Sequence, residues 1–391
     1  MRRLFLLALA TTACSSTGPT TLGPPSQLTL VASVPIPPQY GIHDTYIRDG
    51  IVFVCAWNTG LILMDVGNGL RGGTPANPVE ISRIIPADDG LPGGSAVHSA
   101  WWFHNPVSHE NRYVFTAQEG PGLLPVSSTG DIHVIDVSDL SQPHEVAMYH
   151  MDLAPSAGVH NFWMDETAQV LYASYYNGGV LALDVSGVLT GSLASREIAR
   201  LKPTATSYIW GIQGSGGSLY ATDMLAGLYQ IRVNAGPQLS VAAGGGNVPE
   251  RYTSDLFVTG GYAYTGTWGA SARNGVPGNA LKVWRLGATG APSLADSVVI
   301  DSVVTVGDVK GSADGKLLAV STEKGDRVGL YLYSLANPAR PVLVGTALVE
   351  GGVHTAHIAD IAGRQYVFAA KNPGPSAAPA LLIYDVTAFR P

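Results

Sequence analysis

The sequence predicts an all-β fold, a seven-bladed β-propeller of four-stranded blades, and three observations lead to this prediction. Short alternating segments rich in β-branched and aromatic residues recur along the chain, separated by Gly, Pro, Asn and Asp turn signals. The composition, with 47 Gly, 26 Pro and only 13% charged residues, fits many short strands joined by tight turns. A signature of the form apolar-x-apolar-Asp-Val recurs at intervals of about 46 to 71 residues, near the length of one blade.

Seven copies of this signature define seven units. The clear copies are LILMDV (61–66), IHVIDV (132–137), VLALDV (180–185) and LLIYDV (381–386). The degenerate copies are LYQIRV (228–233), LKVWRL (281–286) and LYLYSL (330–335). Residues 158–186 show three strand patterns of one unit, VHNFWM, QVLYASYY and VLALDVS, separated by polar or glycine turns, and a fourth, EIARLKP (197–203), follows after a connector.

The first and last units complement each other. A lone strand pattern, QLTLVASVPI (27–36), precedes the first unit, whereas the seventh unit ends after three strands. We therefore expect the N-terminal strand to complete the last blade and close the ring, which would remove the exposed edge of an open array. An open solenoid is the alternative, but it requires capping units that the sequence does not show.

The repeats resemble those of the bacterial LVIVD-repeat β-propeller proteins. The motifs that carry the resemblance are VIDVSDLSQPHEVAMY (134–149), MDVGN…NPVEISRI (64–84), LDVSG (183–187) and YDVTAFRP (384–391). The resemblance implies an extracytoplasmic propeller, often a lipoprotein, and it implies no settled activity.

The N-terminus has the pattern of a targeting segment. Two arginines, the apolar run LFLLALA and the sequence TTAC, which ends at Cys14, resemble a lipoprotein signal with a lipobox, although Thr11 replaces the usual Leu. Residues 1–14 are thus predicted to be a signal peptide, with Cys14 lipidated, 15–26 a flexible tether and 27–391 a single propeller. This predicts a lipid-anchored protein of the outer membrane or cell surface. If the segment is an ordinary signal peptide, the protein is secreted or periplasmic.

Several classes of function lack support in the sequence. The net charge of −7 and the absence of a Lys/Arg cluster argue against a nucleic-acid partner. No P-loop, dinucleotide fingerprint, HExxH or nucleophile-elbow motif occurs, so the sequence predicts no catalytic or cofactor-binding residue. Apart from Cys14, the one cysteine is Cys55, in an apolar strand pattern that predicts a buried thiol.

Histidines recur at the start of the predicted innermost strands. The second residue of each aligned segment reads, in chain order, His43, His98, His160, Ser207, Ser254, Thr305 and His354. Because the ring closes, the four histidines occupy one continuous arc, and His357 adds a fifth imidazole nearby. Imidazoles that converge at a channel mouth suit one transition metal ion. The alternative is structural: each His donates a hydrogen bond to the backbone of a neighbouring blade.

Two further sets of residues are candidates for ligand contact. Three positions after the histidine series, the residues are mostly aromatic, which predicts packing between blades or the lining of a ligand funnel. Long loops between second and third strands should form a rim at the same face, where Glu119, Trp268, Arg273 and Lys371 are the candidates.

Two hypotheses about function follow. In the first, a lipid-anchored, monomeric scaffold binds a protein or small-molecule ligand at its loop-rich face. In the second, the protein binds a metal ion or is a metal-dependent enzyme, with the histidine cluster at the channel mouth.

Overall fold

The fold is all-β, as the repeats predict. The computed structural model describes residues 25–36, 41–87, 95–234, 238–287 and 290–390. The predicted signal peptide, Cys14 and nearly all of the predicted tether lie outside these residues. Within them, the helical elements are two 3-10 turns, Ala194–Arg196 and Thr387–Phe389, and no helix has the length and apolar character needed to cross a bilayer.

The strands group into seven antiparallel four-stranded units, each in simple up-and-down order. Blade 1 contains Asp44–Arg48, Ile51–Cys55, Leu61–Asp65 and Val79–Ile84. Blade 2 contains Val97–Phe103, Tyr113–Gln118, Ile132–Asp136 and His144–Tyr149. Blade 3 contains Phe162–Asp165, Val170–Tyr175, Gly179–Asp184 and Glu197–Leu201.

Blades 4 to 7 follow the same order. Blade 4 contains Ile209–Ser215, Ser218–Asp223, Gly227–Asn234 and Gln238–Gly244. Blade 5 contains Tyr252–Thr259, Tyr262–Trp268, Ala280–Arg285 and Ser293–Val299. Blade 6 contains Val303–Gly311, Leu317–Gly325, Gly329–Ser334 and Val342–Leu348. Blade 7 contains Val353–Ile361, Arg364–Lys371, Ala380–Asp385 and the N-terminal strand Thr29–Pro35.

The N-terminal strand closes the ring, and this prediction is confirmed. Thr29–Pro35 pairs antiparallel with Ala380–Asp385 as the outer strand of blade 7. The preceding Ser26–Gln27 pairs parallel with the outer strand of blade 6, a contact that the sequence does not predict. The N-terminal segment therefore joins two neighbouring blades: it supplies the outer strand of blade 7 and covers part of the outer edge of blade 6.

Three further strands of two residues each lie outside these blades within the described residues. Gly191–Ser192 pairs parallel with the outer strand of blade 2, and Gly120–Pro121 pairs with Ser128–Thr129 inside a long loop of that blade.

The core lies between blades rather than within them. The second and third strands of each blade are largely buried on both faces, so successive blades pack face to face and bury side chains from two sheets together. Phe53 of blade 1, for example, packs against Trp102 of blade 2 with ring centroids 5.3 Å apart. This stacking places the beginnings of the innermost strands around a common centre, where the candidate site lies.

Candidate functional site

A break in the strand pairing recurs at the beginning of the innermost strands. The register shifts there in blades 2, 4, 5, 6 and 7. Such a bulge bends the strand and re-aims a side chain. In these five blades, the matching residue is the first one that the register shift leaves without a partner. In blades 1 and 3, His43 and His160 hold the same position, because the backbone N–H of each donates to a carbonyl of the second strand. The matching residues of blades 1 to 7 are thus His43, His98, His160, Trp210, Ser254, Gly307 and His354. All of them except Ser254 line one narrow cavity.

These registers change the sequence alignment in blades 4 and 6. Trp210 and Gly307 occupy the positions that the alignment gave to Ser207 and Thr305, because the bulge and the turn before it vary in length. Ser207 and Thr305 are fully buried elsewhere. Their hydroxyl oxygens accept hydrogen bonds from the backbone N–H groups of Thr204 and Gly269, respectively.

The four histidines of the arc lie in contact with one another. The ring centroid of His43 is 3.9 Å from that of His354 and 3.8 Å from that of His98. His98 lies 4.1 Å from His160, which in turn lies 4.3 Å from Trp210. The imidazoles thus form a continuous row around part of the centre.

Hydroxyl groups, rather than the imidazoles, make most of the hydrogen bonds between blades at this level. Ser99, Ser321 and Thr355 donate to main-chain carbonyls of three of the histidines, at 2.6 to 2.8 Å. Of the four histidines, only His160 shows the expected ring-to-backbone bond within the described chain, with Nδ1 2.8 Å from the carbonyl oxygen of Trp210. The structural alternative therefore does not account for His43. For His98, burial lowers the pKa of the ring and the backbone of His160 acts in the opposite direction, although neither ring nitrogen makes a hydrogen bond of normal geometry within the described residues.

Burial keeps three of the imidazoles neutral. Burial, reinforced by the neighbouring histidines, holds the pKa of His43 and that of His98 well below the usual value. Burial lowers the pKa of His160 to about 3. A neutral imidazole keeps one nitrogen lone pair free to accept a proton or to bind a metal ion.

Glu119 faces this row from the loop between the second and third strands of blade 2. Its Oε2 lies 3.5 Å from Nε2 of His43 and 3.7 Å from Nε2 of His98. Its Oε1 accepts a short hydrogen bond from the hydroxyl of Tyr176. Burial raises the pKa of Glu119 to about 7, although Tyr176 and His354 act in the opposite direction.

His354 differs from the other three histidines because it has a carboxylate partner. Its Nδ1 makes a short contact with Oε1 of Glu323, which also accepts a 3.0 Å bond from Nδ2 of Asn372. Burial disfavours the imidazolium, but the carboxylates of Glu323, Glu119 and Asp308 together outweigh it and raise the pKa of His354 to about 9, with Glu323 contributing most. The cluster therefore combines neutral imidazoles, one imidazolium and two buried carboxyl groups.

A wider pocket of about 430 Å³ opens directly above the histidines. Its floor includes His43, His160, His354 and Glu119. Its walls are largely aromatic or apolar and consist of Trp57, Leu124, Tyr176, Tyr208, Trp210, Met224, Tyr252 and Trp268. Concave sites with apolar walls and a few convergent polar groups are typical of small-molecule binding.

The four predicted rim residues separate into two groups. Glu119 and Trp268 line the pocket. The guanidinium of Arg273 donates to the carbonyls of Leu225, Val248 and Arg251. The ammonium of Lys371 likewise donates to main-chain carbonyls of its own loop. The two cations therefore hold loops in place beside the pocket.

His357 lies in a separate cavity, of about 260 Å³, below the histidine row. Three residues of extended strand, about 10 Å, carry it away from His354. Aromatic residues of the second predicted series share this cavity with His357, namely Tyr46, Trp101, Trp163 and Phe257.

The same cavity holds a buried charge cluster. Nζ of Lys310 contacts Asp255 closely and lies 3.2 Å from Oδ1 of Asp308. Burial and, secondly, Lys310 lower the pKa of His357 to about 4.

Comparison with known families and structures agrees with this architecture. The LVIVD repeat family matches residues 126–151 and 250–271. The chain is a β-propeller with matches to the LVIVD repeat at two sites. The first match overlaps the motif at 134–149, whereas the second lies in a unit with a degenerate signature. No curated protein matches the sequence.

Solved structures of propeller type are similar to the whole LVIVD-repeat chain. The Cps50 (Swd1) β-propeller domain of Myceliophteria thermophila has 13% identity and a TM-score of 0.56, over 92% of this chain and 100% of that one. A candidate 6-phosphogluconolactonase of Bacteroides fragilis has 12% identity and a TM-score of 0.57, over 88% and 92%. A chain of a mitotic checkpoint complex has 12% identity and a TM-score of 0.62, over 98% and 99%. At such identities these likenesses show the fold alone.

Sequence reasoning did not find Tyr176, Glu323 or Trp57. Each lies at or just after the end of a second strand, as Glu119 does. Aligning the ends of the second strands, in addition to the beginnings of the first strands, is the signal that would have found them.

Proposed function

We propose that this LVIVD-repeat propeller is a monomeric, lipid-anchored extracytoplasmic binding protein that takes up a small molecule in the pocket above the histidines. The ligand would have a flat apolar or aromatic body and a polar end. The observation that carries this proposal is the pocket itself, because six aromatic side chains line it together with a small set of polar groups that includes three histidines and Glu119.

The shape of the pocket supports a small molecule over a protein partner. Gly122 and Leu124 of blade 2, and Trp268 and Ser271 of blade 5, line the pocket. These residues belong to two of the three long loops that the sequence places at the rim. The space of about 430 Å³ lies within the usual range for small-molecule sites and is too small for a folded domain.

Binding can be tested with the neutral naphthalene fluorophore prodan, whose emission shifts to the blue in an apolar site. Saturable binding with one site per chain is expected. Trp268→Ala, which removes an aromatic wall, should weaken it about tenfold or more, consistent with the free energy of one aromatic contact. Trp101→Ala is the matched control, because this tryptophan lines the other cavity.

Two outcomes would contradict the assignment of the pocket as the ligand site. If the folded protein shows no saturable binding, or if Trp101→Ala weakens binding as much as Trp268→Ala, the pocket is not the ligand site.

The lipid anchor needs its own test. Cys14→Ser should abolish incorporation of a radiolabelled fatty acid and move the protein from the membrane fraction to the soluble extracytoplasmic fraction. An unchanged membrane fraction would contradict lipidation at Cys14.

A further inference from the structure

The floor of the pocket contains several buried nitrogen atoms without hydrogen-bond partners. Within the described residues these are Nδ1 of His43, both ring nitrogens of His98 and Nε2 of His160. The three side chains are 93% or more buried, with exposed fractions of 7%, 2% and 3%. Buried polar atoms are nearly always paired, so a cluster of unpaired ones indicates that a bound group contacts them. A neutral imidazole offers such a group one nitrogen lone pair and one N–H.

The spacing of the potential ligand atoms suits a metal ion. One ligand atom each from His43, His98 and Glu119 lies within 4.8 Å of the other two. Oε2 of Glu119 lies 3.5 Å from Nε2 of His43 and 3.7 Å from Nε2 of His98. Ligand atoms about 3.3 Å apart are expected around a tetrahedral ion with bonds of about 2.0 to 2.1 Å, so only a small inward movement is needed.

Outer hydrogen bonds already orient two of these groups. His160 has Nδ1 against the carbonyl oxygen of Trp210, which leaves Nε2 as its free nitrogen. Glu119 has one oxygen bonded to Tyr176, which leaves the other directed at the two imidazoles. Metal-binding histidines and carboxylates are typically held by such outer partners.

From this geometry we propose that the pocket floor binds one divalent transition metal ion through His43, His98 and Glu119. His160, whose ring centroid lies 4.1 Å from that of His98, borders the site. The proposal rests on the proposed function and deepens it, since the ion would contact the polar end of the bound molecule. His354, fixed by Glu323, lies beside His43 and would border the remaining coordination position. Imidazole ligands with a single carboxylate favour Zn²⁺ or Cu²⁺ over Mg²⁺ or Ca²⁺.

The first experiment is a calorimetric titration with Zn²⁺, and separately with Mg²⁺, of protein purified without a polyhistidine tag or chelator. We expect one Zn²⁺ per chain with high affinity and no detectable Mg²⁺ binding. Folded protein that binds no Zn²⁺ would overturn the proposal, because solvent must then satisfy the orphaned nitrogens.

Variants then locate the ion. His43→Gln and His98→Gln should each weaken Zn²⁺ binding by about 100-fold or more, which is at least the effect of losing an outer-shell partner. His357→Gln is the matched control, because it removes an equally central imidazole from the other cavity. Unchanged affinity in both His43→Gln and His98→Gln, or an equal loss in His357→Gln, would overturn the assignment.

A measurement on the unaltered protein covers the case in which these variants fail to fold. Pulsed EPR of the Cu²⁺-loaded protein should show modulation from the remote nitrogens of at least two imidazoles. A Cu²⁺ spectrum without imidazole nitrogen coupling would contradict the proposed ligand set.

Failure of this proposal and failure of the proposed function give different results. The prodan titration is repeated after treatment with EDTA. If prodan binds and Zn²⁺ does not, the metal site is refuted and the ligand pocket stands. If Zn²⁺ binds and prodan does not, the ligand pocket is refuted and the metal site stands.

Discussion

At the scale of single residues, surroundings separate chemically identical side chains into different roles. His98 has two buried ring nitrogens without partners, whereas His354 pairs with Glu323 and His357 lies beside Lys310. Burial alone disfavours the charged form of all three, and only the nearby carboxylates, Glu323 above all, reverse this for His354. These differences predict distinct responses to acid.

His357→Gln should make the protein less sensitive to acid. The folded-state pKa of His357 is about 4, below the usual value of about 6.5 for an unfolded chain. Below pH 6.5 the imidazole of His357 is therefore protonated in the unfolded chain but stays neutral in the folded protein. The free energy of unfolding consequently falls as the pH drops toward 4.

His357→Gln has no imidazole to protonate at this position, so it lacks this pH-dependent loss of stability. Between pH 7 and 4.5 its free energy of unfolding should fall by roughly 1–3 kcal/mol less than that of the unaltered protein. Urea unfolding at both pH values measures the difference. The other charged groups of this cavity, Asp44, Asp255 and Lys310, are present in both proteins and cancel in the comparison. Equal losses in the two proteins would refute the assigned pKa.

The histidines were predictable from the sequence because they recur in a short apolar context at blade spacing. Glu323 and Tyr176 were not, because they lie at the ends of second strands whose surrounding sequence shows no repeated motif. The separation of His357 from the arc was also missed, since a count of residues does not show how far a strand runs before its next bulge.

At the scale of strands, the N-terminal segment is held by one side chain more than by the others. Leu28 is 3% exposed, and its backbone N–H donates to the carbonyl oxygen of Thr346. A Cβ atom at Gly345 would lie 2.5 Å from Cδ2 of Leu28. Glycine at that position therefore leaves the space in which Leu28 packs between blades 6 and 7.

Leu28→Ala should lower the free energy of unfolding by about 2–5 kcal/mol, as for other fully buried leucines. Leu30→Ala is the matched control, since Leu30 is 50% exposed in the same segment and should change stability by about 0.5 kcal/mol or less. Chemical denaturation of both variants gives the values. Equal effects would show that the segment does not close the ring through Leu28.

The pairing of this strand in the last blade could be predicted from the missing fourth strand. Its additional parallel pairing with blade 6 could not be, because two residues carry no pattern of their own. The bulges that turn the histidines inward were likewise invisible, and they are the reason that the alignment failed in blades 4 and 6.

At the scale of the whole molecule, polar contacts near the centre join blades that are distant in sequence. Lys310 of blade 6 pairs with Asp255 of blade 5 and with Asp308 of its own strand. Asp308 in turn accepts a 2.9 Å bond from the backbone N–H of Ala356 in blade 7. These bonds connect three successive blades directly below the histidine row.

Lys310→Met should lower the free energy of unfolding by roughly 2–4 kcal/mol, because it leaves two buried carboxyl groups without a cation. The value is below that for a fully buried pair, since 30% of the lysine side chain is exposed. The double variant Lys310→Met/Asp255→Asn should recover part of the loss. A double variant that is less stable than Lys310→Met would contradict this explanation.

Lys310 is linked to the histidine row, because its partners Asp255 and Asp308 line the narrow cavity beside the histidines. The closed ring brings four imidazoles and a carboxylate from blades 7, 1, 2 and 3 to one place, and the proposed metal site depends on this arrangement.

The most direct test is anomalous diffraction from crystals of the protein grown with equimolar Zn²⁺, with data collected on both sides of the zinc absorption edge. The proposed site predicts a single strong peak about 2.0 to 2.2 Å from the side chains of His43, His98 and Glu119. A map without a peak at the histidine row, or with its main peak elsewhere on the molecule, would contradict the proposed site.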